Sequence, residues 1–194
     1  MENTAPTVAV GMRSNWVNEG DEVVLFGSIA DAGEGDSHTA VVDWGDGVTS
    51  VASVAGGRLS AQHTYGDDGS YFARVCATDN DGAEGCDSVG VRVVNVAPST
   101  PVSGNRSVGG QVGRPVAVST EFTDPGRLDS HNAVIDWGDG LSTAASVGGL
   151  SVSGSHTYGA AGTYGVTVVV TDDDGGSTSY STTVVVGASG GYWR

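Results

Sequence analysis

Hydrophobic and polar residues alternate along this chain in short runs. Tyr164, Val166, Val168 and Val170 fall on one side of an extended segment, and Gly165, Thr167, Val169 and Thr171 on the other. That period of two predicts a strand with one buried face. Tyr71, Ala73, Val75 and Ala77 repeat the inward set earlier in the chain. Between such runs lie clusters of Gly, Asp, Asn and Ser, which break strands and make turns. No stretch carries a convincing helical period. The longest apolar run, near Val166–Val170, is far short of the roughly 18–20 residues that cross a bilayer as a helix.

The pattern occurs twice. A shift of 93 residues lays Ser37-His38-Thr39-Ala40-Val41-Val42-Asp43-Trp44-Gly45-Asp46-Gly47 on Ser130-His131-Asn132-Ala133-Val134-Ile135-Asp136-Trp137-Gly138-Asp139-Gly140. The same shift pairs His63-Thr64-Tyr65 with His156-Thr157-Tyr158, Tyr71 with Tyr164, and Thr78-Asp79-Asn80-Asp81-Gly82 with Thr171-Asp172-Asp173-Asp174-Gly175. Asn3-Thr4-Ala5-Pro6 resembles Asn95-Val96-Ala97-Pro98. The chain therefore reads as two copies of one module, 1–94 and 99–187, joined by a short linker, 95–98, and followed by a tail, 188–194. About seven short strands per copy predict an all-β chain of two tandem immunoglobulin-like sandwiches. Val42 and Trp44 share a strand face and enter the core while Asp43 points out. Gly45-Asp46-Gly47 is turn chemistry. Tyr71 and Tyr164 open a strand after a glycine, where the hydroxyl ties down a loop as in a tyrosine corner.

These residues resemble the PKD (polycystic kidney disease) module, a seven-stranded β-sandwich. The family pattern W-D-F-G-D-G is met by Val42-Asp43-Trp44-Gly45-Asp46-Gly47 and by Ile135-Asp136-Trp137-Gly138-Asp139-Gly140, with an aliphatic first position and Trp at the second aromatic. The family's second element is met by His63, Tyr65, Gly69, Tyr71 and Ala73, and again by His156, Tyr158, Gly162, Tyr164 and Val166. The resemblance covers nearly the whole chain and speaks to fold, not to function.

Charge narrows the partners. The chain has 194 residues, with 23 acidic against 8 basic and a formal charge of -15. All the basic residues are Arg. Such a chain has no electrostatic footprint for phosphate backbones, so nucleic acid and anionic membrane are poor partners, and no membrane insertion is expected. The carboxylates either hold cations or keep a Gly-rich β protein soluble.

The four histidines fall in repeat-related pairs, His38 with His131 and His63 with His156, which favours loop hydrogen bonds over catalysis. No H-E-x-x-H, G-x-S-x-G, Walker or Rossmann pattern is present. No catalytic residue and no organic cofactor is expected, and the chain is read as non-enzymatic.

Calcium is the stronger chemical signal. In an immunoglobulin-like topology the start of the first strand, the loop between the second and third strands and the last hairpin loop meet at one pole. Those places hold Asn3, Asp31, Asp79 and Asp81 in the first copy and Asn95, Asp124, Asp172 and Asp174 in the second. Carboxylates and amide oxygens there suit a hard cation with six to eight oxygen ligands, and the resemblance implies the same, since some bacterial collagenase PKD modules bind calcium at that pole. An Asp-x-Asp-Gly run is equally what a hairpin turn favours. A cation at the second pole would clamp the two modules together.

Cys76 follows inward Val75 and so lies on an outer face; Cys86 lies equally far beyond the turn near Asp81. A disulfide across that hairpin is expected, and with it an oxidising destination; two buried thiols are the other reading. The tail's Tyr192, Trp193 and Arg194 are residue types enriched in interface hot spots and suggest partner docking. The start of the chain shows no export signal, which a virion protein does not need. The expected function is an extracellular display module, a spacer with a protein or glycan contact surface: on a phage virion as a decoration or fibre protein, or as a piece of a secreted or cell-surface protein. The alternative is an accessory domain of a secreted hydrolase that binds collagen, chitin or another polysaccharide. That reading expects a line of exposed aromatics, for which Trp16 is the main candidate.

Overall fold

A computed structural model describes residues 3–33, 35–100 and 107–188. The chain divides into two compact units, Met1–Asn95 and Val96–Arg194. Among the described residues there is no helix.

The first unit is built from β1 (Thr7–Met12), β2 (Trp16–Asn18), β3 (Glu22–Ala30), β4 (His38–Asp43), β5 (Thr49–Val51), β6 (Ser53–Ala55), β7 (Arg58–Thr64), β8 (Gly69–Asp79) and β9 (Glu84–Val94). One sheet has the order β1-β3-β7-β6 and the other β2-β9-β8-β4-β5. The edge strand β2 runs parallel to β9, whereas the remaining strands of that sheet pair antiparallel. That arrangement is the immunoglobulin-like sandwich. The second unit repeats it with β10 (Ser107–Gln111), β11 (Pro115–Glu121), β12 (His131–Asp136), β13 (Ser142–Ala144), β14 (Ser146–Gly148), β15 (Ser151–Thr157), β16 (Gly162–Asp172) and β17 (Ser177–Gly187). Its sheets are β11-β15-β14 and β10-β17-β16-β12-β13. The counterpart of the β1–β3 ladder is, among the described residues, a single bridge between Ser99 and Thr123.

Each unit closes its own core. In the first, Val23, Leu25, Val42, Trp44, Leu59, Val75 and Val93 meet between the sheets. In the second, Val116, Val118, Ile135, Trp137, Val152, Val168 and Val184 do so. The period-two reading of the long strands therefore holds: Ala73, Val75 and Ala77 are buried, as are Val166, Val168 and Val170.

The two tryptophans are held by repeated bonds. The Tyr65 hydroxyl donates to the Trp44 carbonyl at 3.0 Å, and Tyr158 does the same to Trp137 at 3.0 Å. The Trp44 indole N–H reaches Ser50 Oγ at 2.9 Å, and Trp137 reaches Thr143 Oγ1 at 3.0 Å. Gly45 follows Trp44 with φ +84°, and a Cβ there would sit 2.9 Å from the Phe72 carbonyl oxygen. Only glycine satisfies both the left-handed backbone and that close approach. The tyrosine corners are present too. The Tyr71 hydroxyl donates to the carbonyls of Asp67 and Asp68, and Tyr164 to that of Ala160.

Candidate functional site

Three places carry the chemistry of each module: the pole where the strand-connecting loops meet, the turn after the tryptophan, and the outer sheet faces.

At the first module's pole, carboxylate oxygens of Asp31, Asp36 and Asp79 lie within 4.8 Å of one another. Asp31 closes a turn on itself, accepting the Gly33 N–H at 3.0 Å, and its second oxygen binds His38 Nε2 at 2.9 Å. Those two bonds, the Gly33 one first, hold its carboxyl below the usual carboxylate range. Asp79 caps the hairpin between β8 and β9. Its Oδ1 accepts the backbone N–H groups of Asp81 and Ala83, each at 2.9 Å, and the Asn3 amide donates to Oδ2 at 3.1 Å. Burial pushes the Asp79 carboxyl up, but the bonds from Ala83, Asn3, Asp81 and Gly82 together outweigh it, and the acid stays ionised.

The second module's pole gathers Asp124, Asp129 and Asp172 with the same 4.8 Å spacing. Asp124 accepts the Gly126 N–H at 2.9 Å and binds His131 Nε2 at 2.9 Å. Asp172 accepts the Gly176 N–H at 2.6 Å.

Of the eight residues expected to ligate a cation, Asp31 with Asp79 and Asp124 with Asp172 are thus brought together. Asn3 meets Asp79, with its amide nitrogen as donor. Asp81 contributes its backbone N–H to Asp79 while its side chain is exposed in the hairpin turn. Asp174 occupies the same exposed place in the second module, and Asn95 lies half-buried in the irregular segment after β9. The third carboxylates, Asp36 and Asp129, escaped the sequence reading. They are one 93-residue shift apart and directly precede the Ser-His pairs, so the repeat itself marked them. Each lies against a glycine, Gly33 or Gly126, where any Cβ would fill the space of the carboxylate. Three converging carboxylates form an all-oxygen donor set of the kind a hard divalent cation takes, so the residues present fit calcium.

The turn after each tryptophan is a second repeated unit. Asp46 accepts the Val48 N–H at 3.0 Å and binds His63 Nε2 at 2.6 Å. His63 stacks on Trp44 with centroids 4.8 Å apart and meets Tyr65 edge-on at 4.7 Å. Asp139, His156, Trp137 and Tyr158 repeat this, with a 2.7 Å His–Asp contact. The His156 bond, foremost, holds the Asp139 carboxyl below its ordinary range. Burial, followed by the nearby Asp139 charge, pushes the Tyr158 hydroxyl up to about 12. All four histidines bind one aspartate of a loop, and His63 and His156 alone also stack on an indole among the described residues. Imidazole fixed between a carboxylate and an indole face is a strut, since both its ring edge and its ring face are occupied.

The outer faces differ between the modules. Cys76 and Cys86 are direct cross-strand partners on β8 and β9 and are joined by a disulfide, with Cα atoms 4.2 Å apart. Their counterparts by the 93-residue shift are Val169 and Ser179. Trp16, Phe26 and Phe72 are 68%, 50% and 70% exposed, so two aromatics join the one expected. The alternation that turns Tyr71 inward turns Phe72 outward, a signal already legible in the strand. Each histidine is paired with an aspartate, and Arg74 and Arg92 have no carboxylate partner among the described residues. Tyr192, Trp193 and Arg194, the expected docking residues, lie outside the described residues.

A family model described as PKD domain matches residues 3–94 and again 95–187. Comparison with curated proteins gives no match. Among solved structures, the chain is similar to the PKD domain of an M14-like peptidase from a Thermoplasmatales archaeon, at 24% identity, covering 47% of this chain and 97% of that one with a TM-score of 0.41. It is also similar to the PKD1 domain of Vibrio anguillarum Epp, at 22% identity, 47% and 96% coverage, and a TM-score of 0.38. A tetra-tandem repeat from the extending region of a large adhesion protein matches 94% of this chain and 49% of its own, at 19% identity and a TM-score of 0.52.

Proposed function

The chain belongs to the PKD domain family through both of its halves, and from that footing we propose that it is a non-enzymatic extracellular module pair in which the first module makes contact and the second supplies reach. One observation carries this reading. The two modules share the tryptophan turn with its Tyr, His and Asp partners and the carboxylate pole, yet among the described residues the exposed aromatics Trp16, Phe26 and Phe72 all belong to the first. The second has Gly109, Ser119 and Gly165 at the corresponding ladder positions. A fold that is stable with Gly and Ser at those places has no structural need of exposed rings, and rings and guanidinium groups are what binding surfaces use. The Cys76–Cys86 bridge favours an oxidising setting, on a secreted protein, a cell surface or a virion. Decoration or fibre protein of a phage, or segment of a longer surface protein, are the contexts in which such a pair serves. The match to the extending region of an adhesion protein accords with a module that spaces and displays.

We propose further that calcium rigidifies the poles. Asp31, Asp36 and Asp79 would hold one ion and Asp124, Asp129 and Asp172 another, with their loops supplying further oxygens; the ion would neutralise carboxylates that otherwise repel one another.

Retention of the purified chain on chitin, cellulose, collagen beads and bacterial envelopes tests the contact reading. Retention on at least one support is expected, and its loss when Trp16, Phe26 and Phe72 are all replaced by Ser. Retention untouched by that triple substitution, or none on any support, would refute it.

A further inference from the structure

The contact module's two most exposed aromatics share one sheet face with two of its arginines. Trp16 on β2 is the ladder partner of Arg92 on β9, and Arg92 is the partner of Ser70 on β8. Two residues along, Phe72 on β8 pairs with Gly90 on β9. Val17 and Val93, the residues next to Trp16 and Arg92, face the core, so Trp16 and Arg92 point outward, as do Phe72 and Arg74. Strands about 4.8 Å apart with a rise of about 3.4 Å per residue put the Trp16 and Phe72 Cα atoms roughly 12 Å apart.

The glycine shapes this face. A Cβ at Gly90 would stand 3.4 Å from the Phe72 ring, so the ring leans over the bare strand. Arg74 lies on one side of Phe72 and Arg92 on the other. Arg92 Nη1 donates to Ser70 Oγ at 3.1 Å, and Arg74 contacts the Cys86 sulfur at 3.3 Å. Neither guanidinium meets a carboxylate among the described residues, so most of the N–H donors of both face solvent. In the second module the four positions are Gly109, Gly165, Thr167 and Val185. The valines beside this group, Val41 and Val51, are different, because the second module keeps Val134 and Ala144 there. That row belongs to the frame. Trp16, Phe72, Arg74 and Arg92 are what the first module adds.

We infer that this face, resting on the contact role proposed above, binds an uncharged polysaccharide. A pyranose ring presents an apolar C–H face and a rim of hydroxyls. Two aromatic faces separated by an oligosaccharide's reach take the first, and fork-shaped guanidinium donors with a serine hydroxyl take the second. Charge selects among polymers. A chain of net charge -15 repels polyanions over the screening distance of physiological salt, while the two guanidinium groups repel polycations at contact. A protein partner fits less well. The rings are separated by Gly90 and Arg92, whereas a stable protein interface covers a contiguous surface of about 800 Å² on each side.

Affinity electrophoresis of the intact chain tests this, in gels containing hydroxyethylcellulose, xylan, soluble chitin oligomers or, as the polyanion, alginate. Retardation in at least one neutral glycan is expected. Trp16→Ala and Phe72→Ala should each weaken it at least tenfold, and Arg92→Gln several-fold. Trp16→Tyr and Phe72→Tyr should restore it, and Leu150→Ala, at an exposed apolar residue of the second module, should leave it unchanged. The tyrosine variants separate loss of stacking from loss of fold. No retardation in any neutral glycan, retardation in alginate alone, or Ala variants that bind like the parent would each overturn the inference. Should glycans fail while retention on envelopes is lost both in the triple Ser variant and after protease treatment, the contact reading stands with a protein partner and the glycan inference falls.

Discussion

Replacing the first module's disulfide with the second module's own residues isolates what the bridge does. The variant Cys76→Val, Cys86→Ser imports the pair found at Val169 and Ser179, which are cross-strand partners in the same hairpin. The bridge joins residues 10 apart in sequence. In the chain-entropy treatment, a closed loop of about ten residues removes roughly 9 cal/mol/K from the unfolded state, or about 2.7 kcal/mol at room temperature. For a module of this size each kcal/mol moves the melting temperature by about 4–8 °C, so the first module should melt roughly 10–20 °C lower. The second module is the internal control, since its core contains none of the altered residues. Differential scanning calorimetry of the intact chain, with and without the substitutions, should show one transition moving and one staying. A shift under about 3 °C would refute the entropic account, and equal movement of both transitions would refute the independence of the two cores.

Four further outcomes follow from the geometry. Tyr65→Phe leaves the Trp44 carbonyl without its 3.0 Å donor in a buried place and should cost the first module about 1–2 kcal/mol in urea unfolding, Tyr158→Phe doing the same to the second. Gly45→Ala puts a Cβ at φ +84° and 2.9 Å from the Phe72 carbonyl, and should destabilise by more than the roughly 1 kcal/mol of a conformational penalty alone. The Asp139 carboxyl titrates below its ordinary 3.8 in the folded chain, chiefly through His156. Its contribution is therefore present above about pH 4 and lost as pH falls below that value; urea midpoints between pH 6 and pH 2.5 should fall less steeply in Asp139→Asn than in the parent. Calcium at a hundredfold excess over its dissociation constant should stabilise each module by about 2.7 kcal/mol. Chelator should reverse this, and Asp36→Asn with Asp129→Asn should abolish it; melting curves indifferent to calcium would dispose of the pole sites.

Much of this protein is written in local pattern. Period-two alternation determines which side of β8 and β16 is buried, because successive side chains on a strand must point to opposite faces. The 93-residue repeat determines that there are two like modules. It even marks Asp36 and Asp129, although only a fold that brings a loop and a hairpin to one pole shows them to be partners of Asp31, Asp79, Asp124 and Asp172. The cysteine pairing was legible because both residues sit in one hairpin, where register follows from the turn. What tertiary structure alone decided is long-range. His63 stacks on Trp44 and reaches Asp46 because β7 lies in the sheet opposite β4, and no spacing rule foretells a contact between sheets. Trp16 joins Phe72 and Arg92, which share a hairpin, from a strand much earlier in the chain. Their common face exists only because β2 adds to β9 in parallel and β9 pairs with β8 in one particular register, and a slip of one residue would have turned each of them into the core.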